Sequence, residues 1–291
     1  YLLYLHDNRS KRSQALYVQD EWTLGASTLV NLGVRHDGSD TDESSTNPRF
    51  ALIRKFGAAT TGKLLYGSAF RSPNVYEKYY VTDVGAYKQN PDLTSERINT
   101  LELVVEHYLN RDFRVSGSLF TYRINNLISL TTDPADNLLV FRNLGEVTTN
   151  GVELRAERAW AGGTRLRASY NHQEAEDQAT GQWLENSPRH LAKLNVSTPV
   201  VAGWYTGLEL QYVSARLTPF GNSVDGYTVA NLTLHADRLL KNLDVSASVY
   251  NLFDSRYADP PSEEHVDDLG RNLTAIQQNG RNYRLKLNYR F

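Results

Sequence analysis

The 291-residue sequence contains no cysteine and no methionine. The absence of cysteine excludes disulfides and thiolate metal sites, and the absence of methionine excludes thioether copper ligands. The chain also does not begin at an initiator methionine, because its first residue is Tyr1. Its opening residues lack the pattern of a signal peptide. We therefore expect a fragment or a processed product.

Long apolar runs are also missing. No stretch approaches the roughly 18 consecutive apolar residues of a transmembrane helix, and the mean hydropathy is −0.50. This excludes helical spans but not a β-barrel. The membrane strands of a barrel alternate apolar and polar residues, so the overall composition of such a protein is ordinary. The net charge of −2 gives no global field for nucleic acid. Tyrosine is abundant, at 18 residues, and it suits an interface that is apolar on one side and wet on the other.

The last stretch, residues 282–291, alternates strictly between two kinds of side chain. Apolar or aromatic residues alternate with polar ones, three of which are cationic: Tyr283, Leu285, Leu287, Tyr289 and Phe291 against Asn282, Arg284, Lys286, Asn288 and Arg290. A period of two predicts a strand with two different faces. The aromatics near both ends are typical of a strand that crosses a bilayer. The alternative is the terminal strand of a soluble sandwich.

The same period recurs in pairs along the chain and predicts about fourteen strands. They are 1–6, 13–24, 28–37, 47–56, 62–71, 97–109, 112–129, 138–159, 163–174, 189–198, 203–215, 227–237, 242–250 and 280–291. Short turns alternate with longer polar loops, which is typical of an outer-membrane barrel with the loops outside. We predict one antiparallel transmembrane β-barrel region over 1–291, with strands 112–129 and 138–159 projecting past the bilayer. No helix with capping signals is expected.

One face of the predicted strands carries charges of both signs. We expect this face to line the barrel lumen, with Glu102, Glu106, Glu153, Arg155, Glu157, Arg165, Arg167, Arg284, Lys286 and Arg290 pointing inward. An unpaired charge closed away from water is very costly. These residues therefore need water, one another or a polar partner.

Several motifs occur together in one order. They are Tyr17-Val18-Gln19-Asp20-Glu21-Trp22, Tyr66-Gly67-Ser68-Ala69-Phe70-Arg71-Ser72-Pro73-Asn74, Asn143-Leu144-Gly145 followed by Asn150-Gly151-Val152-Glu153-Leu154, and Asn251-Leu252-Phe253-Asp254 with Tyr257. With the closing strand, they make nearly the whole chain resemble the C-terminal part of TonB-dependent outer-membrane receptors of the siderophore and cobalamin type.

The resemblance implies a barrel of about 22 strands around an N-terminal plug. It implies active uptake of a scarce ligand, such as a ferric siderophore or cobalamin, driven by TonB through the plug. It also implies that Tyr289 and Phe291 belong to a signal read by the barrel-assembly machinery, and that the outside of the barrel contacts outer-membrane lipid and lipopolysaccharide. We find no plug or TonB-contacting segment in the sequence, and about eight family strands would precede Tyr1.

Aromatic residues in the predicted loops are candidates for ligand binding. Loop 72–96 contains Tyr76, Tyr79, Tyr80 and Tyr87, which suit a metal chelate or corrinoid with an organic rim and a polar centre. Trp183 and Phe220 lie in two other loops. The alternative for all of them is an ordered loop packed on its own aromatics. Arg71 ends a strand, where it either meets an anionic ligand or pairs with a neighbouring carboxylate.

Two acidic clusters are candidates for divalent cations. Asp37, Asp40, Asp42 and Glu43 could hold Ca²⁺, and Glu263, Glu264, Asp267 and Asp268 could bridge to lipopolysaccharide through such ions. A solvated acidic loop is the alternative for both. No two of the histidines have zinc-site spacing. No nucleophile elbow or phosphate loop occurs, so we expect neither an enzyme nor a cofactor.

Three functions remain in view. The leading one is the receptor barrel. A passive porin of about fourteen strands is the second, and it differs by keeping a water-filled channel. An outer-membrane hydrolase is the third, although no nucleophile with a base is apparent. The lumen separates the first two, because the charges of a receptor lumen must be matched by a plug.

Overall fold

The computed structural model describes residues 8–81, 86–240 and 242–291. The protein is all-β, as the alternating sequence predicts: a 14-stranded antiparallel sheet is accompanied by two-stranded sheets in the connections. None of the helical structure in the described ranges is long and apolar enough to cross a membrane.

The elements follow in chain order. They are β1 (Ser13–Leu24), β2 (Thr28–Ser39), β3 (Ser45–Phe56), β4 (Thr60–Arg71), α1 (Val75–Tyr79), β5 (Glu96–Asn110), β6 (Phe113–Asn125), β7 (Ile128–Thr132), β8 (Leu139–Asn143), β9 (Glu146–Ala159), β10 (Arg165–Asp177), β11 (Gln182–Trp183), β12 (His190–Val201), β13 (Trp204–Val213), β14 (Arg216–Leu217), β15 (Ser223–Val224), β16 (Tyr227–Leu240), β17 (Leu243–Tyr250), β18 (Ala258–Asp259), β19 (Ile276–Gln277) and β20 (Asn282–Tyr289).

The long strands form the wall, a term we use for the path β1-β2-β3-β4-β5-β6-β9-β10-β12-β13-β16-β17-β20. Each wall strand pairs with its neighbours in chain order, so successive connections fall at opposite ends of the sheet. The strands predicted from residue 13 onward each have a counterpart in the wall. The predicted strand 1–6 lies outside the described residues.

The register gives the wall two faces of different character, because directly paired residues point to the same side. The apolar face carries Leu32, Val34, Leu64, Leu101, Leu103, Val105, Val152, Leu154, Leu166, Leu194, Leu210, Leu232, Leu285 and Leu287. Many of these side chains are exposed: Leu103 is 47% exposed and Leu285 is 68% exposed. A continuous exposed apolar face suits contact with lipid.

Aromatic residues flank this apolar face at both ends. Tyr66, Tyr170, Tyr212 and Tyr283 lie towards the end with the long connections, and Trp22, Phe56, Phe113, Trp204 and Tyr289 lie towards the end with the short turns. Two aromatic girdles bordering an apolar band are the pattern of transmembrane barrels.

Several of the buried apolar side chains lie where strands meet the long connections, besides those buried on the wall itself, such as Phe120 and Ala230. Leu93, Ile128, Val140 and Val147 are buried, and Val147 is fully inaccessible. They come from the connection after β4 and from β7, β8 and the start of β9. The wall itself is a single layer, so the side chains of the long connections provide much of the packing at this end of the sheet.

The structure corrects the prediction that residues 112–129 and 138–159 are uninterrupted strands. The wall pairing of β6 and β9 stops at Asn125 and Glu146. Asn126 adopts a left-handed φ of 57°, a conformation that asparagine tolerates better than most residues. The chain then leaves the wall, and β7 and β8 pair with each other as a separate hairpin.

The prediction that the chain has no capped helix is also wrong. Helix α1 spans five residues and has a capping box. The Glu77 backbone N–H donates to Asn74 Oδ1 at 2.9 Å, and the Asn74 N–H donates to Glu77 Oε2 at 2.8 Å. This reciprocal pair satisfies the free donors at the start of the helix. One turn of helix is too short to give a periodic signal in the sequence.

Candidate functional site

The long connections all leave the wall at one end, which we call the loop end. They are residues 40–44, 72–95, 126–145, 178–189, 214–226 and 251–281. Strict antiparallel neighbours in chain order require this grouping. The loop end is therefore where side chains distant in sequence come together.

Arg71 lies at the base of connection 72–95, between two carboxylates. Its Nε donates to Glu96 Oε2 at 2.6 Å and its Nη1 donates to Glu77 Oε1 at 2.8 Å. The hydrogen bonds to Glu96, and then those to Glu77, raise the pKa of Arg71 above its usual value. The sequence left two alternatives for Arg71, an anionic ligand or a neighbouring carboxylate. In the structure, Arg71 pairs with the carboxylates.

Three of the candidate tyrosines come together in what we call the tyrosine cluster: Tyr76, Tyr80 and Tyr87, with Phe141 of β8. The rings of Tyr76 and Tyr80 stack with centroids 4.3 Å apart, and Tyr87 meets Tyr80 edge-on at 4.9 Å. Phe141 meets Tyr76 edge-on at 5.7 Å. Tyr76 remains 41% exposed. The cluster offers a rigid aromatic surface with phenolic groups at its edge.

The tyrosine cluster is tied to the hairpin β7–β8 by backbone and charge. The Lys88 N–H donates to Leu139 O at 2.9 Å. The Lys88 Nζ binds Asp133 and, at 2.8 Å, Asp136, while Arg142 also binds Asp133. The hydrogen bond from Lys88, followed by that from a backbone N–H, lowers the pKa of Asp133 to about 2. Connections 72–95 and 126–145 therefore form one unit.

Connection 251–281 joins this unit through two glutamates. The Tyr87 hydroxyl donates to Glu264 Oε2 at 2.6 Å, and the Thr132 hydroxyl donates to Glu263 Oε2 at 2.7 Å. Desolvation, followed by the hydrogen bond to Glu264, raises the pKa of Tyr87. Desolvation and the charge of Glu263 likewise raise the pKa of Glu185, in connection 178–189.

The remaining aromatic candidates lie elsewhere at the loop end. Tyr79 contacts Arg9, whose guanidinium carbon lies 3.6 Å from the Tyr79 ring centroid. Trp183 is covered in the same way by Arg189, also at 3.6 Å. Phe220 is half-buried in connection 214–226. Among the described residues, no ring contact joins these three to the tyrosine cluster.

The acidic residues of the two clusters bind separate partners, either cationic side chains or backbone N–H groups. Asp37 binds Arg35, Asp40 accepts from the Arg12 N–H, and Asp42 binds Lys11 and Lys78. In the second cluster, Asp267 binds Arg271, while Glu263 and Glu264 hold other connections as described above. Within residues 8–81, 86–240 and 242–291, no group of His, Cys, Asp or Glu has the arrangement of a three-ligand metal site.

The charged residues predicted for the lumen share one face of the wall, which we call the polar face. Glu106 pairs with Ser116, Ser116 with Arg155, and Arg155 with Ser169. Continued to β20, the register places Lys286 on the same side. The strand residues on this face are Glu102, Glu106, Glu153, Arg155, Glu157, Arg165, Arg167, Arg284 and Lys286. That this face lines a lumen remains a prediction.

Some polar-face charges pair with one another. Glu157 accepts from both Arg114, at 2.7 Å, and Arg167, at 3.0 Å. Further pairs are Lys63–Glu106, Glu153–Arg155 and Asp244–Arg290. By contrast, Glu102, Arg165, Arg284 and Lys286 form no ion pair with other described residues.

A polar cavity of about 740 Å³ opens on the polar face beside connection 251–281. Lys193, Glu209, Gln211, Asn231 and Arg284 contribute to its lining. Amides and charges predominate in its lining, which four tyrosines, Leu210 and Val229 complete. Such a lining suits a hydrogen-bonding polypeptide or water better than an apolar ligand. Near the end of β20, the rings of Tyr289 and Phe291 meet edge-on at 5.3 Å. Their role as an assembly signal stays a prediction.

Sequence reasoning missed several residues of the loop end. Phe141 lies in the hairpin strand β8, which was predicted as part of the longer strand 138–159, and Thr132 ends β7, at a position that was predicted as loop. Glu185 carried no motif. The signal available for Phe141 was its position in a short apolar run between Asn137 and Asn143, two residues that favour turns.

The chain matches the family model described as TonB dependent receptor-like, beta-barrel, over residues 3–252. It is 28% identical to the vitamin B12 transporter of Vibrio cholerae, over 86% of this chain and 39% of the relative. It is 26% identical to the ferrioxamine B receptor of Salmonella typhimurium, over 88% of this chain and 38% of that protein.

Solved structures share the fold. The ferric enterobactin receptor of Pseudomonas aeruginosa superposes with a TM-score of 0.78 at 20% identity, over 97% of this chain and 46% of that one. A copper transporter superposes with a TM-score of 0.76 at 16% identity, over 96% of this chain and 47% of its own. The present chain therefore spans less than half the length of these relatives.

Proposed function

Because this chain belongs to the TonB dependent receptor-like β-barrel family, and is thereby an outer-membrane protein, we propose that it forms the loop-bearing part of an uptake receptor. The ligand is a scarce metal chelate or a corrinoid. The relatives support these classes, since they include a vitamin B12 transporter and a ferrioxamine B receptor. The chain acts as a receptor and transporter component rather than as an enzyme.

The observation that carries this proposal is the meeting of three connections around the tyrosine cluster. Connections 72–95, 126–145 and 251–281 are joined through Tyr87, Lys88 and Glu264. Joined connections hold the rings in a fixed arrangement, which lowers the entropy lost on binding. The exposed ring of Tyr76 and the phenolic groups suit a ligand with an organic rim and a polar centre.

The polar face supports a second element of the proposal. Glu102, Arg165, Arg284 and Lys286 have no ion-pair partner among the described residues, and the polar cavity lies beside one of them. A plug of the kind found in this family would supply hydrogen-bonding groups to these charges. TonB would then act on the receptor through that plug. A passive porin, the alternative left open by the sequence, is disfavoured by the family match.

A binding experiment with the complete gene product, folded in detergent, tests the receptor proposal. We expect quenching of intrinsic fluorescence by cyanocobalamin or by one of a panel of ferric siderophores. Tyr80→Ala should weaken that binding at least about tenfold, as for an aromatic anchor. Tyr79→Ala is the matched control, because Tyr79 lies outside the cluster.

Two results would count against the proposal. One is a folded protein that binds no member of either ligand class. The other is equal weakening by Tyr80→Ala and Tyr79→Ala, which would place binding elsewhere. For transport, uptake of the bound ligand by cells should disappear when TonB is deleted, whereas diffusion through a porin would continue.

A further inference from the structure

Two histidines face each other across the wall on its apolar face. His172 of β10 and His190 of β12 are directly paired. Their rings stack with centroids 4.6 Å apart and an interplanar angle of 26°. Both side chains are half-exposed. Opposed residues on neighbouring strands have Cβ atoms about 4.5–5.5 Å apart, so both imidazoles can reach a common point in front of the sheet.

The Nδ1 atoms of both rings are already engaged. His172 Nδ1 lies 3.2 Å from the backbone oxygen of Arg189. A carbonyl oxygen only accepts hydrogen bonds, so this Nδ1 carries the proton and Nε2 presents its lone pair. His190 Nδ1 lies 2.8 Å from the Tyr170 hydroxyl, which can accept as well as donate. Both histidines can therefore adopt the tautomer with a free Nε2 lone pair.

The hydrogen bonding at the two Nδ1 atoms is of the kind that metal-binding histidines make. A ligating imidazole nearly always donates its other N–H to a carbonyl, carboxylate or similar group, which fixes the tautomer and the ring orientation. Here Arg189 O and Tyr170 supply those partners. Among the described residues, nothing forms a hydrogen bond with either Nε2 atom. The lone pairs lie in the ring planes, so the stacked rings must tilt towards each other, by changes in χ1 as well as χ2, to bring the two Nε2 atoms onto one ion.

The site lies where the apolar face ends. On the apolar face of β10, Leu166 and Ala168 come before His172, on the side of the short turn. Glu174 comes after it, on the side of the loop end, and binds Arg189. The imidazoles thus lie at the boundary between apolar and charged side chains, where water and ions have access. Sequence spacing could not reveal the pair, because the two residues lie on different strands separated by connection 178–189.

We infer that His172 and His190 form a cross-strand binding site for a late first-row divalent cation on the outer face of the wall. Imidazole nitrogen suits copper, nickel and zinc, and affinity is highest for Cu²⁺ in the usual order. No three-ligand group exists in the described part of the chain, so water molecules complete the coordination. Tyr170 acts as a positioning residue through His190. This inference is independent of the proposed receptor function.

The test uses the complete gene product, folded in detergent, free of tags and stripped with a chelator. Cu²⁺ is titrated in, and affinity is measured by calorimetry while electron paramagnetic resonance counts the coordinated nitrogens. We expect one ion per chain with two imidazole nitrogens. His172→Gln and His190→Gln should each weaken binding at least about tenfold and leave at most one nitrogen. Tyr170→Phe should weaken binding by about tenfold while two nitrogens remain.

His235→Gln is the matched control, because His235 lies on the polar face beside Ser246; its Cu²⁺ affinity should equal that of the unmodified protein. A two-nitrogen signal that persists in both His172→Gln and His190→Gln would overturn the inference. So would its absence from the unmodified, folded protein, a measurement that does not depend on any variant folding. Unchanged affinity in Tyr170→Phe would remove the positioning role of Tyr170.

Discussion

The hydroxyl of Tyr87 donates a 2.6 Å hydrogen bond to the carboxylate of Glu264. Tyr87 belongs to the connection between β4 and β5, whereas Glu264 belongs to the connection between β17 and β20, many strands away along the wall. This contact requires the sheet to curve until distant connections meet. It also makes the tyrosine cluster depend on both connections.

Removal of the Tyr87 hydroxyl should release connection 251–281. Tyr87→Phe keeps the ring against Tyr80 but leaves Glu264 without this donor, at a cost of about 1 kcal/mol to the docking of the connection. Hydrogen exchange measured by mass spectrometry should show faster exchange in residues 255–270. Tyr79→Phe is the control and should leave exchange there unchanged. Equal exchange in both variants would show that Glu264 does not hold the connection.

Acid should detach the hairpin β7–β8. The pKa of Asp133 is about 2 in the folded protein, below the ordinary value of 3.8. A lowered pKa means that the ionised carboxylate stabilises the folded arrangement. That stabilisation is complete above pH 3.8 and is lost as the pH falls towards 2. Cleavage between residues 126 and 145 by pepsin, which is active in acid, should increase over this interval.

A substitution tests whether the carboxylate of Asp133 is responsible. In Asp133→Asn the hairpin should be cleaved readily throughout, with no added dependence on pH in this interval. Asp92→Asn is the comparison, because Asp92 forms no ion pair among the described residues. A cleavage profile in Asp133→Asn that still rises with acid would assign the transition to another group.

The wall should not tolerate a methyl group at Gly151. A Cβ there would lie 2.6 Å from the backbone oxygen of His172 and in hard contact with the ring of Phe120. Backbone atoms cannot move aside, so Gly151→Ala should destabilise the folded protein by about 1–3 kcal/mol. At Gly207 the nearest atom to a new Cβ is 4.0 Å away, so Gly207→Ala should cost far less. Urea titration of refolded protein measures both.

The two faces of β20 should respond differently to substitution. Leu285 lies on the apolar face and is 68% exposed. If that face meets lipid, Leu285→Arg should cost about 2–4 kcal/mol near the bilayer midplane. Lys286→Leu, on the polar face, should be much milder. Folding of the complete gene product into lipid vesicles provides the comparison, and equal costs would mean that the faces are assigned wrongly.

The orientation of the wall can be read by labelling, since the chain has no cysteine of its own. Leu269 is 77% exposed in connection 251–281, and Gly162 lies in the short turn between β9 and β10. In intact cells, a membrane-impermeant maleimide should label Leu269→Cys and not Gly162→Cys, because barrel loops face outward. Both should be labelled after the cells are opened. The reverse pattern in intact cells would falsify the orientation.

Much of the wall could be predicted from the sequence. Alternation along a strand such as β20 follows from the pleat alone, and the wall strands are long enough for that pattern to be visible. The departures came at single residues. A left-handed Asn126 ends β6, and an Asn74–Glu77 capping box starts a helix of one turn. Neither the left-handed residue nor the single helical turn alters the alternation of apolar and polar residues in the surrounding sequence.

The candidate site was harder to predict than the wall. Tyr76, Tyr80 and Tyr87 are close in sequence, so their grouping was within reach. Their partners Phe141 and Glu264 come from other connections, and only the curvature of the sheet decides which connections meet. The pairing of His172 with His190 depends on the register between β10 and β12. A slip of one residue in that register would move every side chain of one strand to the other face.

The direct pairing of β6 with β9 makes the connection between them a replaceable insert. Asn125 pairs with Glu146, so the chain between them can lengthen, shorten or be exchanged without altering any pairing below. A different segment could therefore be grafted between Asn125 and Glu146 while every pairing of the wall is kept. The length and sequence of this connection are thus structurally independent of the frame that carries it.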